Sequence, residues 1–385
     1  MRLGVVTTNF PPAMGGMQEH ARGLVTSLAR DHDVSLFVRP GSRLEPALGA
    51  VRICDEMTWF RGQDLRLLQR AQVDAWLLMD AGLADYVPHL EQPGFVYVHG
   101  NDFIRPWYPR EDVRVRGQVW LMRRLGLSAV EMVQAWRRRQ IRAGLHAARA
   151  VFANSAFSRE ACRRLHKLPS DRMHVVPPGI APEFFRDVVR APCAELRLLT
   201  VARLGAHARR KNVEGVLRAL ALLAGELAFR YTIIGDGSDR GWLEALAGEL
   251  SVADRVAFRG EMPRDGLIEA YAAHDVYIMP VRPSPADHEG FGMVFAEAAA
   301  TGLPSIATAT GGITDAVEPG TSGLLLGGSD PADIAAGIRE FQRTRERFKP
   351  ERVRAFAARF SAEACTAKLV DIVAAKLDQR SAVSA

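Results

Sequence analysis

The sequence predicts an α/β protein built from two doubly wound, Rossmann-like domains, and three observations carry that prediction. Strand patterns alternate with helical stretches along nearly the whole chain, and the series opens twice on a buried strand, a loop and a helix. A length of 385 residues exceeds what one ordinary core holds. A proline-bearing stretch from Pro182 to Pro192, without clear periodicity, reads as the linker between the two series. Apolar content of 48% with 24% charged residues is that of a soluble globular protein. No apolar leader follows Met1 and no apolar run is long enough to span a bilayer, so the chain is expected to stay in the cytoplasm. A net charge of +6 leaves anionic lipid, phosphorylated substrate and nucleic acid open as partners.

Leu3 to Thr8 reads as the first strand, Asn9 to Gly16 as a loop, and Met17 to Arg30 as a helix with Leu24, Val25 and Leu28 on one face. The loop lacks the Gly-x-Gly-x-x-Gly of a dinucleotide fingerprint. Gly15 and Gly16 still bring backbone N–H groups to a helix start, where a ligand-free tight turn is the alternative. Further strands read at Val34 to Val38, Asp74 to Met79, Gly94 to Val98 and Ala150 to Ala153, as a parallel sheet covered on both faces requires. His99-Gly100-Asn101-Asp102 follows the strand that ends at Val98, where open α/β sheets present ligand residues. Arg105 to Arg149 is the most basic segment, with Arg114, Arg116, Arg123, Arg124, Arg137, Arg138, Arg139 and Arg142 interleaved with Trp120, Trp136 and aliphatic residues. Such a stretch reads first as a solvated helix whose apolar stripe faces the core, and it also suits an anionic membrane surface. Ser155 or Ser158 caps a helix that runs to His166, and His174 to Ile180 is a last strand running into a turn. Cys54, Cys162, Cys193 and Cys365 are scattered without metal-ligand spacing and read as reduced core residues.

The second series begins with the strand Leu196 to Ala202. Arg203 and Lys211 then bracket a short basic loop before a helix from Asn212 to Leu227. Two cations between a strand end and a helix start are well placed to neutralise a diphosphate leaving group; a solvated basic loop is the alternative. Tyr231 to Ile234 is a strand ending in the turn Gly235-Asp236-Gly237. Arg255 to Arg259 is another, followed by Gly260-Glu261-Met262. Tyr277 to Pro280 ends the next strand, and Glu289-Gly290-Phe291-Gly292-Met293-Val294-Phe295-Ala296-Glu297 crosses from a loop into a helix. At about 1.5 Å per residue its two carboxylates lie roughly 12 Å apart. Between them is a helix N-terminus, formed by Phe291, Gly292 and Met293, whose N–H groups favour a phosphate. One carboxylate for sugar hydroxyls, amides for a diphosphate and a second carboxylate for a ribose diol describe a nucleotide-sugar cradle. A helix with an acidic residue ahead of it and a surface Glu is the plainer account. Pro304 to Thr308 and Thr321 to Leu326 read as the remaining strands, Asp330 caps a helix, and Ala362 to Leu377 is a last amphipathic helix.

The Glu289 to Glu297 stretch resembles the Glu-x7-Glu signature of the retaining, GT-B-fold glycosyltransferases of family 4, the glycosyl transferases of group 1. The Pro-Pro-x-x-Gly-Gly loop ending at Gly16, the Val-x-Pro-Pro-Gly-Ile segment at Ile180 and the Gly-x-Gly turn at Gly235 are similar to that family as well. The resemblance implies two Rossmann-like domains facing across a cleft, residues 1–181 on the acceptor side and 193–360 on the nucleotide-sugar side, with the helix in 361–385 crossing back to the first. It implies that Glu289 contacts the transferred sugar, Glu297 holds the ribose, and Arg203 and Lys211 clamp the two phosphates, with Arg209 or Arg210 sharing the task. It also implies that His99 reaches the reacting centre, that Gly15 and Gly16 face the diphosphate, that Gly235 lines the nucleotide pocket, and that the main chain at Glu261 and Met262 holds the base edge.

The expected activity is a retaining, metal-independent hexosyl transfer from a nucleotide-diphospho-sugar to a hydroxyl of a glycan or lipid-linked acceptor, in cell-envelope or polysaccharide synthesis. No Asp-x-Asp or His/Cys cluster stands where a divalent ion would hold the diphosphate, and no cofactor beyond the donor is expected. The Phe10-to-Gln18 run and the loop before Glu289 are similar to mannosyltransferases that use GDP-mannose, while UDP-sugar users share most of these residues. The donor is therefore expected to be GDP- or UDP-linked, with GDP-mannose preferred. Expected partners are the nucleotide-sugar, the acceptor and an anionic membrane at the inner face, not nucleic acid. A nicotinamide-dependent dehydrogenase is disfavoured because neither glycine loop fits. A non-catalytic nucleotide-sugar-binding protein would keep the same pocket.

Overall fold

The structure is a computed structural model that describes residues 1–8, 10–11, 15–40, 51–58, 60–104, 120, 124, 129–191, 193–284 and 287–381. It divides into two compact units, Met1–Gly179 together with the helix Ala362–Ser381, and Ile180–Ser361.

Among the described residues the first unit has seven strands: β1 (Arg2–Val6), β2 (Asp33–Phe37), β3 (Val51–Cys54), β4 (Ala75–Leu78), β5 (Gly94–Val98), β6 (Ala150–Ala153) and β7 (Met173–Val175). They pair in parallel in the order β3-β2-β1-β4-β5-β6-β7. β4, β5 and β6 are buried along their whole length, as strands covered on both faces must be. The helix Gly16–Leu28 buries Leu24, Val25 and Leu28, in one cluster with Leu369 and Val373 of the helix Ala362–Ser381. Ser155, not Ser158, caps the helix Ala156–His166: its hydroxyl accepts the Ser158 N–H at 3.0 Å. β3, the polar helix Arg61–Leu68 and the 3-10 turn Ala81–His89 were not read from the sequence. Each is short, and the helix Arg61–Leu68 buries only Asp64 and Leu68, too little to leave a periodic signal.

The second unit, among the described residues, has six strands: β8 (Leu196–Val201), β9 (Phe229–Ile234), β10 (Val256–Phe258), β11 (Val276–Met279), β12 (Ser305–Thr308) and β13 (Gly323–Leu326). These too are all parallel, in the order β10-β9-β8-β11-β12-β13. The Thr200 hydroxyl on β8 bonds the Ile278 carbonyl of β11 and lies 2.8 Å from the Tyr231 hydroxyl of β9, tying three neighbouring strands in the core. The helix Met293–Ala300 lies against β11 through Phe295, edge-on to Tyr277 at 5.2 Å and 88°.

The proline-bearing segment is not a free connector. The chain passes between units at Gly179–Ile180 and Ser361–Ala362, and residues up to Ala191 pack on the second unit. Arg354 donates to the Arg186 carbonyl at 2.9 Å and pairs with Asp187 at 2.5 Å. Prolines and missing periodicity mark irregular backbone, but irregular backbone still packs where its carbonyls and charges find partners. Asp330 does stand at a helix N-cap, yet its side chain makes no cap bond there. Cys162 and Cys365 are buried free thiols and Cys54 is partly buried, whereas Cys193 is exposed, against the expectation of a core residue. Among the described residues no helix is long and apolar enough to cross a membrane.

Candidate active site

In the second unit the winding reverses between β8 and β11, so the ligand residues of an open sheet belong on the loops after these two strands. Arg203, Arg210 and Lys211 lie on the first loop, Asp287 and Glu289 on the second. The two loops are stitched together. The Arg282 N–H donates to the Arg210 carbonyl at 2.7 Å, and the Asn212 amide donates to the Pro280 carbonyl at 3.1 Å. Asn212 also opens the helix Val213–Leu223 from a left-handed backbone, φ 63°, with its side-chain oxygen accepting the Gly215 N–H at 3.2 Å. That sharp turn delivers Lys211, the residue just before it, to the mouth of the sheet.

The structure sets the adjacent arginines apart. Arg209 turns away to Asp239, with contacts of 2.6 and 3.1 Å, and its guanidinium lies 5.5 Å over the Trp242 ring. Arg210 turns in, bonding Glu289 at 2.8 Å and pairing with Asp287 at 3.0 Å. Burial pulls the Arg210 guanidinium down, but Glu289 and Asp287 outweigh it and hold the pKa above the ordinary arginine value. Burial pulls the Lys211 ammonium below the ordinary lysine value. Glu289 opposes that, Arg210 and Arg203 add to it, and Glu297 opposes it. Lys211 thus shares one electrostatic neighbourhood with Glu289, Glu297, Arg203 and Arg210. Among the described residues its ammonium makes no ion pair within 4.0 Å, so this cation is not already neutralised by a close partner. Arg203 is exposed.

Glu289 is fixed from a third loop: its carbonyl accepts the Gly312 N–H at 2.8 Å, after β12. Gly292 carries the chain into the helix at φ 85°, and a Cβ there would stand 2.7 Å from the Phe295 ring, so a close backbone approach needs glycine at this position. Met293 begins the helix, half-buried. Phe291, expected among the ligand contacts, buries its ring against Phe360 at 5.2 Å, so only its main chain can serve a ligand. On the same helix Glu297 accepts the Tyr271 hydroxyl at 2.9 Å. The Gly235 turn, φ 128°, lies so near β8 that a Cβ would fall 1.9 Å from the Ala202 carbonyl oxygen. Its N–H reaches the Gly260 carbonyl at 2.7 Å. Beyond Gly260, Glu261 is exposed and Met262 half-buried against the core.

His99, Gly15 and Gly16 belong to the first unit. Gly15 and Gly16 open the helix that carries His20, whose ring lies 5.4 Å from that of His99. The His99 Nε2 stands 3.0 Å from the Met79 carbonyl at the end of β4 and donates to it, which leaves Nδ1 as the acceptor of the neutral ring. Burial holds this imidazole below the ordinary histidine value, against a smaller opposing pull from Asp102. Asp102 organises the turn, with the N–H groups of His99, Gly100 and Phe103 on one oxygen and that of Ala81 on the other, all at 2.9–3.1 Å. Asp80, buried at the end of β4, is pushed up to about 7 by burial and by Asp102. An ionised Asp80 therefore costs native stability, a cost absent below the ordinary carboxylate pKa and complete above about 7. Asp80→Asn is expected to raise the melting temperature by several degrees at pH 8, the gain fading toward pH 4; a gain that does not vary with pH would contradict this origin.

Tyr271, Gly312, Asp80 and Asp102 were not singled out as site residues from the sequence, and Arg210 stood there only as an alternative to Arg209. Arg210 and Tyr271 lie tens of positions from the carboxylates they hold, and only the fold joins them. Gly312, opening a helix after a strand, and Asp102, three positions after a strand-end His, were visible signals whose targets were not. Of the basic segment, Arg114, Arg116 and Arg123 lie outside the described residues. Arg137 is turned inward on Asp85 at 2.7 Å and the Gly82 carbonyl at 2.7 Å, so it is structural and does not belong to a membrane-facing set.

Two family models match the chain in succession. Residues 14–184 match Glycosyltransferase Family 4, and residues 195–343 match Glycosyl transferases group 1. Among curated relatives, the D-inositol 3-phosphate glycosyltransferase of Acidothermus cellulolyticus is 38% identical over 192 residues, 45% of this chain and 41% of its own length. That of Thermomonospora curvata is 34% identical over 53% of this chain and 52% of its own length, so the chain spans about half the length of these relatives. An uncharacterised glycosyltransferase of Methanocaldococcus jannaschii is 24% identical over 88% of both chains. Solved structures share the fold end to end. Sucrose-phosphate synthase from Thermosynechococcus elongatus has a TM-score of 0.74 at 20% identity over 97% of this chain and 98% of its own. Anabaena HepE in complex with UDP has a TM-score of 0.73 at 15% identity over 97% and 100%. With two parallel Rossmann-like sheets, a family model on each half and full-length likeness to such structures, the chain belongs to the family 4, group 1 glycosyltransferases and has their GT-B fold.

Proposed function

We propose that the chain is a retaining hexosyltransferase that moves a hexose from a nucleoside-diphosphate sugar to a hydroxyl of a glycan or lipid-linked acceptor. The observation that carries this reading is the joining of the loops after β8 and β11 by the Arg210–Glu289 bond at 2.8 Å, with Lys211, Arg203 and Glu297 in the same electrostatic neighbourhood. As the bond from the anomeric carbon to the diphosphate oxygen breaks, negative charge grows on the leaving group. Lys211, Arg203 and the N–H groups opening the helix Met293–Ala300 meet it, with no metal ion required. Positive charge grows on the sugar ring, where the Glu289 carboxylate, aimed by Arg210, offsets it. Glu297 holds the ribose diol, and the main chain at Gly235, Glu261 and Met262 borders the base. The family likeness further assigns His99 to the transferred sugar and Gly15 and Gly16 to the diphosphate; within the first unit His99 is neutral and fixed on Met79. Retention of configuration follows from the family likeness.

GDP-mannose is the preferred donor from the sequence, while the likeness to a fold neighbour solved with UDP-glucose keeps UDP-sugars in contention. The relatives named for D-inositol 3-phosphate add a phosphorylated cyclitol to the acceptors worth testing. Thermal shift and hydrolysis assays over a panel of nucleotide sugars test the reading. One donor is expected to stabilise the protein and be turned over slowly in water, and a panel in which no nucleotide sugar binds would refute it.

The reading puts the chain in the cytoplasm, at the inner face of a membrane in envelope or polysaccharide synthesis. Its support is the exposure of Trp120 (62%) and Trp136 (53%), with Arg124 5.3 Å over the Trp120 ring and exposed Arg139 and Arg142 on the helix Ala129–Ala147. Sedimentation with vesicles is expected to show binding to anionic but not neutral phospholipid, weakened several-fold by Trp136→Ala. Negligible binding to anionic vesicles would remove the membrane from the account.

A further inference from the structure

Arg190 lies in the segment read as a linker, yet its guanidinium is mostly buried in the second unit. It has no carboxylate partner within ion-pair distance among the described residues and meets four main-chain carbonyls instead. Nε donates to His274 at 2.8 Å, Nη1 to Gly302 at 3.2 Å, and Nη2 to Tyr271 at 3.3 Å and Thr301 at 3.0 Å. Those carbonyls close the ends of two helices, Arg264–Ala273 and Met293–Ala300. Helix C-termini leave carbonyls without intrahelical partners and carry partial negative charge, so a cation shared between two of them meets both needs. Burial lowers the Arg190 pKa only to about 10, and the group stays charged at neutral pH.

The two clamped helices carry one functional contact between them, the hydrogen bond from Tyr271 to Glu297. Each clamp point lies within about one and a half turns of that contact. Tyr271 and His274 hold one helix; Thr301 and Gly302 follow Glu297 on the other. A rigid guanidinium fork fixes the spacing of the two ends in a way that a water or a lysine ammonium does not. Tyr271, in turn, occupies one carboxylate oxygen of Glu297 and so settles how the other meets a diol.

We propose that Arg190 is a positioning residue for nucleotide binding, setting the Tyr271–Glu297 pair so that the carboxylate grips the ribose hydroxyls of the donor. The inference rests on the reading of Glu297 as the ribose-binding acid. Arg190 touches neither substrate nor reacting atoms and acts only through the two helices.

The test measures affinity of the full chain for GDP and UDP against their 2′-deoxy forms, in the wild type and in Arg190→Lys, Arg190→Gln and Tyr271→Phe. The wild type is expected to prefer the ribose form of its own nucleotide by about tenfold, the worth of one charge-assisted hydrogen bond. In each variant that preference is expected to shrink to about twofold, through weaker binding of the ribose form alone. KM for the donor should rise by a similar factor with kcat nearly unchanged. A merely structural Arg190 would lower the melting temperature and the active fraction while the ribose preference and KM of the folded molecules stayed at wild-type values; that result overturns the proposal. If the wild type shows no ribose preference, the Glu297 reading itself fails, and the proposal with it. Arg190→Lys keeps the charge and guards against a variant that does not fold.

Discussion

Glu289→Ala is expected to reduce sugar transfer by about 10²–10³-fold or more while nucleoside-diphosphate affinity falls only a few-fold. The asymmetry follows from where Glu289 sits. Its carboxylate is held by Arg210 at 2.8 Å and its carbonyl by Gly312, so the side chain is aimed before any substrate arrives and costs little reorganisation. An interaction that strengthens as charge develops on the sugar lowers the barrier without tightening the ground state. Glu289→Gln sharpens the prediction, because the amide oxygen can still accept from Arg210 but carries no charge. It should be nearly as inactive as Glu289→Ala. Initial rates with the donor found in the panel, beside calorimetric affinity for the matching diphosphate, measure both. Full activity in either variant would be incompatible with the proposed role.

The second large effect belongs to Lys211. Lys211→Ala should weaken binding of the nucleoside diphosphate by about tenfold or more, leave the monophosphate little changed, and reduce transfer further still. Charge on the departing group grows during reaction, so the rate loses more than the affinity does. A pH dependence follows with a definite sign. Burial lowers the Lys211 pKa below the ordinary lysine value, and a bound diphosphate would favour the protonated form. Diphosphate affinity should therefore hold at neutral pH and decline as pH rises through this lowered pKa, earlier than an exposed lysine would require. The decline should be absent in Lys211→Ala, and an identical decline in that variant would assign it to another group.

The architecture was largely legible because parallel strands buried on both faces leave continuous apolar runs, and β5, β6 and β11 are such runs. The edge strand β3 was missed because its four residues are half exposed and carry no continuous run. The candidate site was legible wherever strand ends meet polar residues: Arg203 after β8, Glu289 after β11, and His99 after β5. What stayed hidden was the wiring between distant segments. Sequence alone left Arg209 and Arg210 equivalent, and the fold turned one outward to Asp239 and the other inward to Glu289. Tyr271 sits in an unremarkable helix 26 positions before its partner Glu297, and Arg190 sits in a segment whose prolines mark it as a spacer. Both act through contacts that only tertiary packing creates. At Phe291 the structure adds a division of labour invisible in sequence: the ring fills the core against Phe360, which leaves the main chain for a ligand.

The central claim is that one cluster after β8 and β11 receives the nucleoside diphosphate. The most direct measurement is a crystal structure of the chain soaked with the diphosphate that the affinity panel selects. The account predicts phosphate density at Lys211 and Arg203 and ribose hydroxyls within hydrogen-bond reach of Glu297. Well-ordered nucleotide bound elsewhere, with Lys211 and Glu297 untouched, would contradict it.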